Sequence, residues 1–315
     1  PEQIPLYGRE LTAKEWLHIA SEAQEAGTTW LCVTGGEPLV HPEFETIWRE
    51  LTQMGFFITL QTNASLIEGK MARLLEECPP RAVKITLYGS DDQVYEQVCQ
   101  VKEGFTRVDR GIQLLREMKI PVQLISTVIR QNEADVQKMA FYAFRNQLPW
   151  MATGGVKASV RTPNSEAREV RVQEKLDEQK KEEIRQRFKN APVNIERKPC
   201  TYCKDYRLGY WVTWNGMMRF CSFMNEPDLS VRDRAFSQAW QELIQYEEAL
   251  DWPEECKTCK VQKACMKCAG TLAAECGSPH RVTEEFCNKV KKYYDDEKGE
   301  WNICKEQSKQ FLMKK

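Results

Sequence analysis

Apolar residues in the first half of the chain recur in two alternating rhythms. Residues 30–34, 56–61, 82–88, 121–128 and 156–161 are short apolar runs rich in β-branched or aromatic side chains, the composition of strands. Between them lie longer stretches with helix-end signals. Thr12-x-x-Glu15 is a capping box that opens a helix over 13–26, and Gly27 ends it. A second helix is predicted over 42–54, stopped by Gly55. Ser65-x-x-Glu68 caps a third that reaches Glu77. Further helices are predicted over 91–98, 106–119 and, behind Asn132 as cap, 133–145. Strands alternating with helices imply a parallel sheet with helical crossovers. The run Val122-Gln123-Leu124-Ile125 predicts a buried strand, a pattern that leaves a barrel and an open sheet as alternatives.

The second half has a different texture. Residues 165–189 are charged and lack an apolar stripe before Ile184 and Phe188, which predicts an exposed helical linker, with a disordered one as the alternative. Residues 210–220 read as a hairpin turning at Asn215-Gly216, its two tryptophans packing it on the first domain or lining a substrate path. A helix over about 284–294 precedes a polar tail.

Cysteine usage changes at the same place. Of thirteen cysteines, only Cys32, Cys78 and Cys99 lie in the first half; the other ten fall between Cys200 and Cys304. This divides the chain into a first domain at 1–164, a linker at 165–198, a cysteine-rich domain at 199–298 and a tail at 299–315. A formal net charge of -1 with 29% charged residues offers no broad basic surface, which argues against nucleic acid as a partner. No apolar run approaches the ~20 residues that cross a bilayer, and no secretion signal opens the sequence. A cytoplasmic setting follows, where thiols stay reduced and dense cysteines serve metals better than disulfides.

Two motifs carry candidate chemistry. Cys256-x2-Cys259-x5-Cys265-x2-Cys268 is flanked by Cys200-x2-Cys203 and Cys221 upstream and by Cys276 and Cys287 downstream. Soft thiolates in fours suit zinc or iron–sulfur centres, and the spacing is compatible with either. The other motif, Thr34-Gly35-Gly36-Glu37-Pro38-Leu39, directly follows the first strand. Two glycines permit close approach of a ligand to the backbone, and Pro38 stiffens a carboxylate at the sheet's C-terminal edge. The same residues also suit a tight strand-to-helix turn with no ligand.

The strand, Gly-Gly-Glu-Pro-Leu and the following Pro-x-Phe resemble the cofactor-binding motif of radical S-adenosylmethionine (SAM) enzymes. Thr59-Leu60-Gln61-Thr62-Asn63, Lys84-Ile85-Thr86-Leu87-Tyr88-Gly89 and Gly104-Phe105-Thr106-Arg107-Val108 extend the resemblance. The cysteine order is similar to the SPASM extension of that family, with Gly216 and Cys221 supplying its Gly-x4-Cys. The chain has two residues between Cys265 and Cys268 where the family usually has three.

The resemblance implies a partial (β/α)6 TIM-like barrel, within the α/β class, followed by an iron–sulfur SPASM domain. It implies SAM as cofactor, with Gly35, Gly36, Glu37 and Pro38 at its methionine end, Thr86 near its ribose, and Gln61, Asn63, Thr127 and Asn132 lining the cavity. Two auxiliary 4Fe-4S clusters are implied, one on Cys200, Cys203, Cys221 and Cys268, the other on Cys256, Cys259, Cys265 and Cys287; Cys276 is an additional candidate. The family's catalytic 4Fe-4S cluster uses C-x3-C-x2-C, which no cysteines here form, so the polypeptide is expected to continue upstream. The implied activity is reductive SAM cleavage to a 5′-deoxyadenosyl radical that abstracts hydrogen. The implied substrate is a peptide or protein, crosslinked through a thioether or carbon–carbon bond. Side-chain oxidation as in sulfatase maturation, small-molecule dehydrogenation and a non-catalytic iron–sulfur or zinc protein are the alternatives. A flavodoxin or ferredoxin is the implied electron donor.

Overall fold

The computed structural model describes residues 8–157, 169–172, 198–200, 203, 209–262, 265, 267–291, 294–295 and 300–301. The capping box forms as predicted: Thr12 accepts from the Glu15 amide while the Glu15 carboxylate accepts from the Thr12 amide, starting α1 (Ala13–Glu25). Five strands then alternate with helices: β1 (Trp30–Val33), α2 (Phe44–Gln53), β2 (Phe57–Thr62), α3 (Gly69–Glu77), β3 (Ala82–Thr86), α4 (Asp92–Cys99), α5 (Gly104–Glu117), β4 (Val122–Thr127), α6 (Val136–Arg145) and β5 (Trp150–Thr153). All neighbouring strands pair in parallel in the order β1-β2-β3-β4-β5, a partial barrel with β1 and β5 at its edges.

The strands differ on their two faces. Ile58, Leu60, Val83, Ile85, Val122 and Leu124 are buried under the helices with Trp48, Leu75, Ile112 and Leu115. The residues between them share the opposite face by register: Trp30 with Phe57, Cys32 with Thr59, Gln61 with Lys84, Lys84 with Gln123 and Thr86 with Ile125. This face is open, and Phe57 is 53% exposed, its ring tilted against that of Trp30 with centroids 5.0 Å apart. The expected buried strand 121–128 is therefore half-buried, with Gln123 and Thr127 on the open side. A concave barrel face must accommodate ligand, so it is the polar half of the alternation.

Several boundaries depart from expectation. Ser65 does not cap α3, because its amide and hydroxyl both donate to the Asn63 carboxamide and the helix begins only after Glu68. Asn132 makes no cap; Glu133–Asp135 form a 3-10 turn ahead of α6. The fifth strand is Trp150–Thr153 instead of 156–161. Residues 154–157 carry no regular structure, and the remainder of that predicted strand lies outside the described residues. Trp150 was masked in the sequence by Pro149 and by the glycines that follow.

The charged linker falls mostly outside the described residues. Its described part is not helical: residues 169–170 turn and Arg171 bridges antiparallel to Ile129, just past β4. The hairpin is present as β6 (Trp211–Val212) and β7 (Met217–Arg219), with Gly216 at φ +84°, a conformation suited to glycine. A third strand, β8 (Leu229–Ser230), pairs with β7, and an unpredicted helix, α7 (Phe236–Ala249), follows. Then come α8 (Glu254–Lys257), α9 (Ala269–Cys276) and α10 (Glu284–Lys291). The last helix ends three residues before the predicted Tyr294, because Tyr294–Asp295 (β9) pairs with Glu300–Trp301 (β10).

The hairpin region docks on α1. Leu11, Ile19 and Ala23 bury against Met218, Leu229, Val231, Phe236 and Leu243, and the Tyr210 hydroxyl meets the Thr28 hydroxyl at 2.9 Å. The tryptophans contribute less than expected: Trp211 is exposed, and Trp214 enters through its carbonyl, which accepts from the Leu11 amide. Among the described residues no helix is long and apolar enough to cross a membrane.

Candidate functional site

The turn after β1 opens the first part of the site. A Cβ added at Gly35 or Gly36 would meet nothing within 4 Å, so both backbones face free space at the sheet's C-terminal edge. Pro38 is the first residue of a 3-10 turn (Pro38–Val40). The Glu37 carboxylate is aimed into the protein: Oε1 accepts from the Leu39 amide (3.1 Å) and the Thr62 hydroxyl (2.7 Å), and Oε2 from the Asn63 amide (2.7 Å). A carboxylate offers about four lone-pair sites. Three are thus used to tie the glycine turn to the end of β2, leaving one for a ligand donor.

Gln61, Thr86 and Thr127 stand on the open face, half-buried, near the ends of adjacent strands. Gln61 Oε1 accepts from the Thr34 hydroxyl. Lys84 and Gln123 share this face, and sequence reasoning passed over both. The signal was there in the alternation of polar and buried apolar residues through Val83-Lys84-Ile85-Thr86. Asn63 shapes the loop, its carboxamide oxygen holding Ser65. Asn132 is sealed beneath the edge: its Nδ2 donates to the Tyr88 and Thr127 carbonyls and its Oδ1 accepts from the Ile129 amide. Its side chain is fully occupied in tying β3 to β4. The residues that would receive SAM are therefore Gly35 and Gly36, whose open backbone fits it, with Gln61, Thr86 and Thr127 across the face.

The cysteines fall into two neighbourhoods. Burial raises the Cys200 thiol well above its ordinary range, and Glu247, Cys203, Cys268 and Cys221 raise it further. Cys203 is pushed up to about 11 by burial, then by Cys221 and Cys268; Cys221 is raised by burial and by Cys268. Local structure assembles this group. Cys268 caps α9, its sulfur 3.4 Å from the Thr271 amide. Gly270 then lets the helix approach so closely that a Cβ there would lie 2.8 Å from Cys221 Sγ. The Ala269 amide donates to the Pro199 carbonyl, bringing in Cys200. Gly270 is a site-building residue that its sequence context did not reveal.

The second neighbourhood is a cavity lined by Cys256, Cys259, Cys265 and Cys287 together with Val261, Phe286, Lys267 and Lys291. Burial raises Cys256, Cys265 and Cys287. Lys267 opposes this at all three and Lys291 at Cys287. Cys276 is buried nearby, its sulfur 3.7 Å from the Thr283 hydroxyl. All twelve described cysteines are free thiols, Cys304 lies outside the described residues, and no three His, Cys, Asp or Glu side chains among the described residues form a group that could hold a metal ion. Each neighbourhood supplies four thiols, donors of the type that thiolate-bound centres use.

A buried ion pair joins the two halves. Arg171 donates through both Nη atoms to Glu275 on α9, at 3.1 and 2.6 Å, and Glu275 is 5% exposed. The Arg130 amide and Nε donate to the Val170 and Arg171 carbonyls. The helix that carries Cys268 and Cys276 is thereby fastened to the loop leaving the C-terminal end of β4.

Residues 3–143 match the Radical SAM superfamily. An AdoMet-dependent heme synthase from Methanosarcina barkeri is 22% identical over 88% of this chain and 87% of its own length. Streptococcus suis SuiB, solved with S-adenosylmethionine, superposes with a TM-score of 0.61 at 17% identity, over 88% of this chain and 70% of that one. The structure of anSMEcpe with AdoMet and the Cp18Cys peptide superposes at 0.54 and 16%, over 91% and 89% of the two chains. The five-stranded parallel sheet and the cysteine-rich region are the parts these likenesses span. Residues 3–143 thus carry the match to the Radical SAM superfamily, and the chain as a whole shares its fold with SuiB and anSMEcpe.

Proposed function

We propose that this enzyme modifies a peptide or protein, with Cys200, Cys203, Cys221 and Cys268 holding one auxiliary 4Fe-4S cluster and Cys256, Cys259, Cys265 and Cys287 holding a second. The observation that carries the reading is the sorting of eight thiols into two neighbourhoods on a domain fastened to the edge of an open, polar sheet face. When bound, SAM and a reduced cluster supply hydrogen-abstracting radical chemistry. The chain's own residues provide the setting. Gly35 and Gly36 expose backbone to receive SAM, and Glu37 keeps that turn registered on β2. Gln61, Thr86, Thr127 and Lys84 offer polar contacts across the face where the reacting atoms would lie. The bond made is a thioether or carbon–carbon crosslink.

The peptide reading draws support from anSMEcpe and SuiB, which have been solved with bound peptides. A second reading, modification of a small molecule, is favoured by the M. barkeri heme synthase, which matches nearly the whole of both chains. The full-length gene product, reconstituted anaerobically and given SAM and dithionite, separates them. Faster 5′-deoxyadenosine release and a mass change on a peptide encoded beside the gene support maturation. No response to peptides, with turnover of a tetrapyrrole instead, would replace it with the second reading.

A further inference from the structure

The two thiol neighbourhoods lie in opposite electric fields. Around Cys200 and Cys221 the packing is apolar, with Met224, Leu250, Ala269 and Ala273, and the charged group acting on Cys200 is the Glu247 carboxylate. Around Cys256, Cys259, Cys265 and Cys287 two lysines line the same cavity from different elements, Lys267 from the loop before α9 and Lys291 from the end of α10. Glu255 also lines it, leaving an excess of positive charge. Lys267 is held in place, its ammonium 4.8 Å from the centre of the Trp252 ring.

A cluster gains one negative charge when it takes an electron, so a nearby cation favours the reduced form and a carboxylate or an apolar shell opposes it. Hydrogen bonds to sulfur act in the same direction as a cation. Those at the first neighbourhood, from the Phe223 amide to Cys221 (3.5 Å) and the Thr271 amide to Cys268 (3.4 Å), are neutral. Full charges facing a cavity outweigh them. Resting on the cluster assignments above, we infer that Lys267 sets the cluster held by Cys256, Cys259, Cys265 and Cys287 at the higher potential, making it the first of the two auxiliary clusters to accept an electron. The reductant is a low-potential one-electron donor, dithionite in the assay. The step is one electron added to one cluster, with no bond made or broken.

The experiment is a redox titration of the anaerobically reconstituted full-length protein followed by electron paramagnetic resonance, with iron and sulfide measured on every sample. Two auxiliary signals should develop in sequence, and Cys259→Ala should delete the earlier one. Lys267→Met should move that signal alone to lower potential, while Lys267→Arg should hold it near its original value. Should Lys267→Met fail to retain iron, Lys291→Met tests the same field and should shift the same signal in the same direction. Unshifted potentials in iron-replete variants, an equal shift of both signals, or loss of the earlier signal in Cys203→Ala instead of Cys259→Ala would overturn the inference. Zinc in place of iron in the parent protein would overturn the cluster assignments themselves, a distinct result.

Discussion

The sheet domain and the cysteine-rich domain reach order by different means. The first has a continuous apolar core in which Leu60, Leu75, Val83, Ile85, Ile112, Leu115 and Leu124 are wholly buried between one sheet face and its helices. The second has strands of two or three residues, an apolar patch of Met218, Leu229, Val231, Phe236 and Leu243 shared with α1, and a small cluster around Cys200, Met224 and Leu250. Its eight candidate ligands are brought together from positions far apart in sequence. On the proposed cluster assignments, cross-linking through metal would contribute what an apolar core does elsewhere, because binding to a site absent from the unfolded chain is folding free energy. The difference teaches that the two halves should answer differently to the same insult.

The largest separation should come from removing iron. Metal binding of this kind contributes on the order of 10 kcal/mol, so the metal-free protein should lose hydrogen-exchange protection across α9 and α10 while β2, β3 and β4 keep theirs. Equal loss in both halves would refute the contrast. Next is the junction. Glu275→Ala removes the two charged hydrogen bonds that Arg171, 22% exposed, makes to it, a loss of roughly 1.5–3 kcal/mol. Denaturant unfolding should show the loss in the cysteine-rich half, and Arg171→Met with Glu275→Leu should recover much of it.

Glu37→Gln probes the sheet half alone. It replaces a carboxylate that accepts three hydrogen bonds, and charged hydrogen bonds contribute roughly 1.5–3 kcal/mol. Calorimetry should show weaker SAM binding and slightly lower stability, with iron content unchanged; a fall in iron would mean that the halves are coupled through this turn. The smallest effect is expected from Gly270→Ala, whose added methyl would lie 2.8 Å from Cys221 Sγ. Overpacking of this kind costs roughly 1–3 kcal/mol. One auxiliary signal should weaken while the other and the sheet domain are untouched.

Much of the sheet domain was legible because each element carries its own local signal. The Thr12 box, Gly27, Gly55 and the short apolar runs of β2 and β3 are short-range features with short-range causes. Trp150–Thr153 was not legible, being four residues beside a proline and two glycines. Ser65 misled because a hydroxyl that suits a helix cap was taken by Asn63 two residues away. In the candidate site, the Gly35-Gly36 turn announced itself, whereas the use of Asn132 as a β3–β4 tie depends on the Tyr88 carbonyl, 44 residues earlier.

The sequence by itself determined the alternation of elements, the parallel sheet, the shift to a cysteine-rich half and the residue types available for metal. Those follow from periodicity, capping and thiol chemistry, which act over a few residues. Tertiary structure alone decided which strand face stays open, that Glu37 turns inward to Thr62 and Asn63, that Gly270 lets α9 close on Cys221, and that Arg171 finds Glu275. It also placed Lys267 over Trp252, on the wall of the cavity lined by Cys256, Cys259, Cys265 and Cys287. Contacts of this kind join residues distant in the chain, and their partners are fixed only when the packing of whole elements leaves each polar group one place to be satisfied.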